Sequence, residues 1–143
     1  MESTARNKKG ESRHRLRPLV FHMKLKWSAV LFSLFIVTII VLADRGELGI
    51  LKLINQIPLG DKAGHFLLYG ILTLLLDLAF LRSRPQSNRS LLVLRIGLIL
   101  ALIIGVEEFS QRYFPSRHSD WVDLTFSYLG VIFFSWLALR IKS

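Results

Sequence analysis

Asp61, His65 and Tyr69 follow one another at intervals of four in the stretch DKAGHFLLY. On a helix that spacing drifts by only about 40° per step, so the three side chains share one face. A carboxylate one turn from an imidazole can orient a histidine as general acid or base, or as nucleophile. Lys62 adds a cation beside them. A second set lies further along the chain, in EFSQRYFPSRHSDWVDLTFSYLG. Glu108 and Gln111 are i, i+3 neighbours. Asp120, Asp123, Ser127 and Gly130 fall within a sector of about 80° on a helical wheel. Between these groups YFPSRHS turns the chain and supplies Arg117 and His118, the latter read as a solvated loop residue.

The residue types suggest three kinds of chemistry. His65, with Asp61 or Asp123 to orient it, forms a candidate catalytic set. Lys62 and Arg117 would bind a phosphate, the arginine as a two-pronged donor. His65, Glu108, Asp120 and Asp123 are candidate ligands for a divalent cation. Tyr69, Gln111 and Ser127 complete a polar lining.

These residues sit at the ends of apolar blocks. The chain has 143 residues, 52% hydrophobic, and a formal net charge of +9. The apolar residues come in blocks rather than in alternation, which points to lipid as the solvent. Four spans are expected, over about residues 26–43, 63–81, 91–109 and 121–140. Helices are expected because lipid offers no partner to an unpaired backbone group, and the alternation of a membrane barrel is missing. The expected fold is therefore an all-α membrane protein, an antiparallel up-down bundle of four transmembrane helices within residues 25–142. A basic, disordered arm over residues 1–24 precedes it.

Fourteen of the nineteen basic residues fall on one side of that bundle, before Trp27, around Arg82–Arg95 and at Arg140 and Lys142. Seven of the ten acids fall on the other. The positive-inside rule then puts both termini in the cytoplasm and the polar sets on the outer side. The basic excess is thus a topology signal, and nucleic acid is not expected as a partner. A competing reading starts at Met23 and treats the first span as a signal peptide cleaved after Ala43; 17 uncharged residues are long for that role. The segment ELGILKLINQIP, with Leu48, Leu51, Ile54 and Ile57 at helical spacing, suits a short helix in the outer interface. Trp27 and Trp121 are expected to anchor span ends at the interface. Asp77 and Arg95, near the cytoplasmic ends of the second and third spans, are expected to face each other or to reach the interface. With no cysteine, disulfides and thiolate metal sites are excluded.

A stripe of ionisable residues cannot face lipid cheaply. Convergence of Asp61, His65, Tyr69, Glu108, Gln111, Arg117, Asp120 and Asp123 in one outer pocket is the economical arrangement.

The two motifs, D-K-x-x-H-F-x-x-Y and E-x-x-Q…R…D-x-x-D…G, resemble those of the VanZ-like family of small bacterial membrane proteins. Where that family usually has Asn, this chain has Ser127. The resemblance covers about residues 25–140. It implies a multi-pass protein of the bacterial cytoplasmic membrane, and an association with resistance to glycopeptides such as teicoplanin that act at the outer membrane face. No established reaction comes with it, and activity as an enzyme stays open.

Three functions remain. The pocket binds a lipid-linked or amphiphilic envelope ligand without reaction. It processes a lipid phosphate enzymatically. Or it is a structural polar network that locks the spans together. Transport is disfavoured because neither an inverted repeat nor a broken helix is evident. The sequence leaves the oligomeric state open.

Overall fold

The computed structural model describes residues 23–43, 45, 49, 59–84, 88–114 and 120–141. Among them it is helical, with α1 at Met23–Ala43, α2 at Gly60–Ser83, α3 at Arg89–Ser110 and α4 at Trp121–Arg140; a 3-10 turn, Gln111–Tyr113, extends α3. All four helices are long and apolar enough to cross a membrane. These are the marks of a multi-pass membrane protein. The arm before Met23, the segment 50–58 of the expected interfacial helix, and Arg117 and His118 lie outside the described residues.

The helix starts follow local chemistry. Asn88 caps α3, its side chain accepting from the Leu91 amide at 3.2 Å, and Asp120 caps α4, accepting from the Val122 amide at 2.9 Å. No such cap precedes α2. Leu59 enters it instead with a φ of 65°, a left-handed conformation rare for a residue with a branched side chain. Inside the spans, hydroxyls bond back to the carbonyl four residues earlier, as in Ser33 to Ala29, Thr38 to Leu34 and Thr73 to Tyr69. This satisfies them without water.

α2 is the hub. Its most extensive packing is against α4. One core cluster joins Ile36 of α1, Tyr69 and Leu72 of α2, Leu100 and Ile104 of α3 and Val131 of α4. A second, at the other end, joins Leu81, Leu92, Val93 and Ala138. Near it the Arg89 guanidinium donates to the Ile141 carbonyl at 3.1 Å.

Glycine sets the close approach of α2 and α4. A Cβ on Gly130 would run into the carbonyl oxygen of Phe66, with the Phe66 Cα only 3.2 Å away. The two backbones touch there, at the residue after His65 and one turn from Ser127. Facing outward, α3 exposes Leu98, Ile99, Leu102, Ile103 and Val106. In water so large an apolar stripe would drive association; in lipid it is simply the solvated face.

Asp77 departs from the sequence expectation. It is fully buried, and neither carboxylate oxygen has a hydrogen-bond partner among the described residues. Among the described residues it therefore pairs with no arginine, and it is enclosed, whereas Arg95 is exposed. The reason is rotational. Asp77 lies on the face of α2 that packs on α4, where Ser135 is the polar group facing it, while Arg95 lies on the outer side of α3.

Candidate functional site

The polar residues gather where the starts of α2 and α4 meet the end of α3, and they form two adjoining layers rather than one pocket. The first layer joins α2 to α4. Lys62 Nζ lies 3.3 Å from Asp123 Oδ1 and 3.6 Å from Asp120 Oδ2. His65 Nδ1 lies 3.2 Å from Ser127 Oγ, and His65 Nε2 is 3.9 Å from Asp61 Oδ1, one turn back. Ser127 decides the tautomer. Its single proton goes to the Asp123 carbonyl at 2.9 Å, so its oxygen accepts the Nδ1–H of His65. In the neutral ring this leaves the lone pair of Nε2 on the side of Asp61.

One ligand atom each from Asp61, His65 and Asp123 lie within 4.8 Å of one another. Access to this layer is graded. The side chains of Asp61 and Asp120 are 42% and 43% exposed, while those of His65 and Asp123 are 15% and 9%.

The second layer ties α3 to its neighbours. Tyr69 Oη donates to Glu107 Oε2 at 3.0 Å. Gln111 Nε2 donates to Glu107 Oε1 at 2.9 Å and to Glu108 Oε2 at 3.3 Å. Glu108 Oε1 accepts the Asp120 backbone N–H at 2.8 Å, which draws the start of α4 onto the end of α3. Glu108 and Gln111 are both buried. A buried carboxylate persists when donors satisfy its oxygens, and here the chain supplies them.

This division separates the cation candidates. His65 and Asp123 fall in the group able to hold a metal, together with Asp61. Glu108 does not, because both its oxygens are held by protein donors. Asp120 is outside it too: one oxygen caps α4 and the other faces Lys62. Arg117 lies outside the described residues. Among those described, Lys62 is the cation paired with these acids, for Arg112 instead lies over the rings of Phe109 and Trp121, at 4.9 and 5.8 Å.

Glu107 was not among the residues singled out from sequence, although it bridges α2 and α3. The signal was present: it stands i, i+4 to Gln111.

Chemically, the first layer offers an oriented imidazole, two carboxylates and an ammonium, part-open to the outside. The second layer is held together by the Tyr69–Glu107, Gln111–Glu107 and Gln111–Glu108 hydrogen bonds. The chain matches no protein-family model, no curated protein and no solved structure.

Proposed function

We propose that the chain is a VanZ-like protein of the bacterial cytoplasmic membrane, an antiparallel up-down bundle with both termini in the cytoplasm. On this reading its outer end binds the polar head of a lipid-linked or amphiphilic envelope ligand. The segregation of basic residues supports the orientation. The observation that carries the function is the first layer itself. Asp61, Lys62 and His65 of α2 meet Asp123 and Ser127 of α4, with Asp61 and Asp120 at the entrance and His65 and Asp123 behind them. Such a set is costly to build and exceeds what helix locking needs. A ligand whose head enters there would lay its chain in the grooves between the spans.

The second layer favours a structural part in the same molecule. Hydrogen bonds join Tyr69, Glu107, Glu108 and Gln111, and Glu108 also takes the Asp120 amide, which suits a lock holding α3 against α2 and α4. The enzymatic alternative rests on His65, whose Ser127 contact leaves Nε2 free as a base.

Labelled polyprenyl phosphate incubated with the purified protein in nanodiscs tests the reading. Retention that is unchanged chemically and lost in His65→Ala indicates a binder. A new product indicates an enzyme. Equal behaviour of the wild type and His65→Ala contradicts both.

A further inference from the structure

Three features of the first layer belong together. Asp61, His65 and Asp123 bring one ligand atom each within 4.8 Å of one another. His65 is held by its other nitrogen, through Ser127, as metal-binding imidazoles commonly are. And Lys62 places its ammonium 3.3 Å from the carboxylate of Asp123. We infer that Asp61, His65 and Asp123 bind a divalent cation, and that Lys62 competes with that cation for Asp123.

The donor set is one imidazole nitrogen and two carboxylate oxygens. That composition suits borderline or hard divalent ions such as Zn²⁺ or Mn²⁺. Around an ion with bonds of about 2.1 Å, neighbouring donors stand about 3–3.5 Å apart. Side-chain movements of about an ångström therefore close the site, and no helix has to shift. Asp61 is the member with freedom to make that movement, since its side chain is 42% exposed. Three protein ligands leave coordination positions open to water or to an oxygen of a bound anion.

Lys62 gives the site its second property. An ammonium and a metal dication cannot both sit against Asp123 without repulsion. The incoming ion displaces Lys62, whose flexible stem then carries the charge outward. There it can meet a phosphate oxygen, while the same phosphate completes the ion's coordination. Cation and phosphate thus bind cooperatively, each raising the affinity of the other by the same factor. This last step rests on the head-group reading; the cation site does not.

The test uses the full chain in phosphatidylcholine nanodiscs, with Mn²⁺ as the probe and electron paramagnetic resonance to count free ion. The wild type is expected to bind one Mn²⁺ per chain. Asp61→Asn, at a half-exposed position that tolerates the change, and His65→Ala are each expected to weaken binding by about tenfold or more. Lys62→Met is expected to tighten it by about tenfold, because the competitor is gone. No saturable binding in the millimolar range overturns the site, as does binding that Asp61→Asn and His65→Ala both leave unchanged. An unchanged or weaker affinity in Lys62→Met overturns the competition. Addition of polyprenyl phosphate or of inorganic phosphate then tests the cooperative step. A rise in Mn²⁺ affinity with either supports it and identifies the source, and no rise with either removes it. If Mn²⁺ behaves as stated and neither phosphate binds, the head-group reading fails while the cation site stands.

Discussion

His65 Nδ1 and Ser127 Oγ stand 3.2 Å apart across the α2–α4 contact, and the hydroxyl gives its own proton to the Asp123 carbonyl. The serine is therefore an acceptor for the ring, and it fixes which nitrogen faces the rest of the site. ¹⁵N spectra of histidine-labelled protein, with Ser127→Ala to identify the signal, are expected to show the neutral His65 ring as the Nδ1–H tautomer. Ser127→Asn, which keeps a carbonyl acceptor, is expected to preserve it. The Nε2–H form in the wild type contradicts the assignment.

The contact depends on glycine. Gly130→Ala drives a Cβ into the Phe66 carbonyl, a backbone group that cannot swing aside, whereas Gly70→Ala meets the Phe134 ring, a side chain that can turn. Overpacking of this kind costs about 1–3 kcal/mol, more where backbones must part. Gly130→Ala is thus expected to destabilise the bundle by about 3 kcal/mol. Gly70→Ala is expected to cost less, as measured by thermal unfolding in detergent. The reverse order contradicts the packing.

Asp77 is expected to weaken the fold it sits in. A carboxyl group fully enclosed, with no hydrogen-bond donor to either oxygen among the described residues, carries a desolvation cost. Asp77→Val, of similar volume, is expected to raise stability by about 1–3 kcal/mol. The same unfolding assay checks it. Loss of stability contradicts the desolvation account.

Glu108 is expected to act as a tie and not as a ligand. Glu108→Ala removes the acceptor of the Asp120 amide and one acceptor of Gln111, inside a buried setting. The expected loss is about 2–3 kcal/mol, with faster amide exchange at Asp120. Glu108→Gln keeps a carbonyl for that amide and is expected to lose less. Stability unchanged in Glu108→Ala contradicts the tie.

Much of this was legible in the chain. Four apolar helices could be read from block length alone, because lipid demands long uninterrupted runs. The polar stripes of α2 and α4 were legible through their spacing, since 3.6-residue periodicity puts Asp61 with His65 and Asp123 with Ser127 on single faces. What spacing does not carry is the rotation of one helix against another. That rotation decides whether Asp77 meets Arg95 or is sealed against α4. It also decides that Glu107 meets Tyr69. Nor do residue types say which oxygens are already taken, and for that reason Glu108 and Asp120 could not be told apart from Asp61 as cation ligands.

The central claim is that side chains from the start of α2 meet those from the start of α4 at one end of the bundle. The chain has no cysteine, so an introduced pair reports without background. His65→Cys combined with Ser127→Cys, treated in native membranes with a short bifunctional thiol reagent, is expected to cross-link within a single chain and to join α2 to α4 across a protease site inserted in the intervening segment. His65→Cys paired with Leu102→Cys, on the outward face of α3, is expected to remain uncoupled. Failure of the first pair to couple, or equal coupling of both, contradicts the meeting on which the site depends.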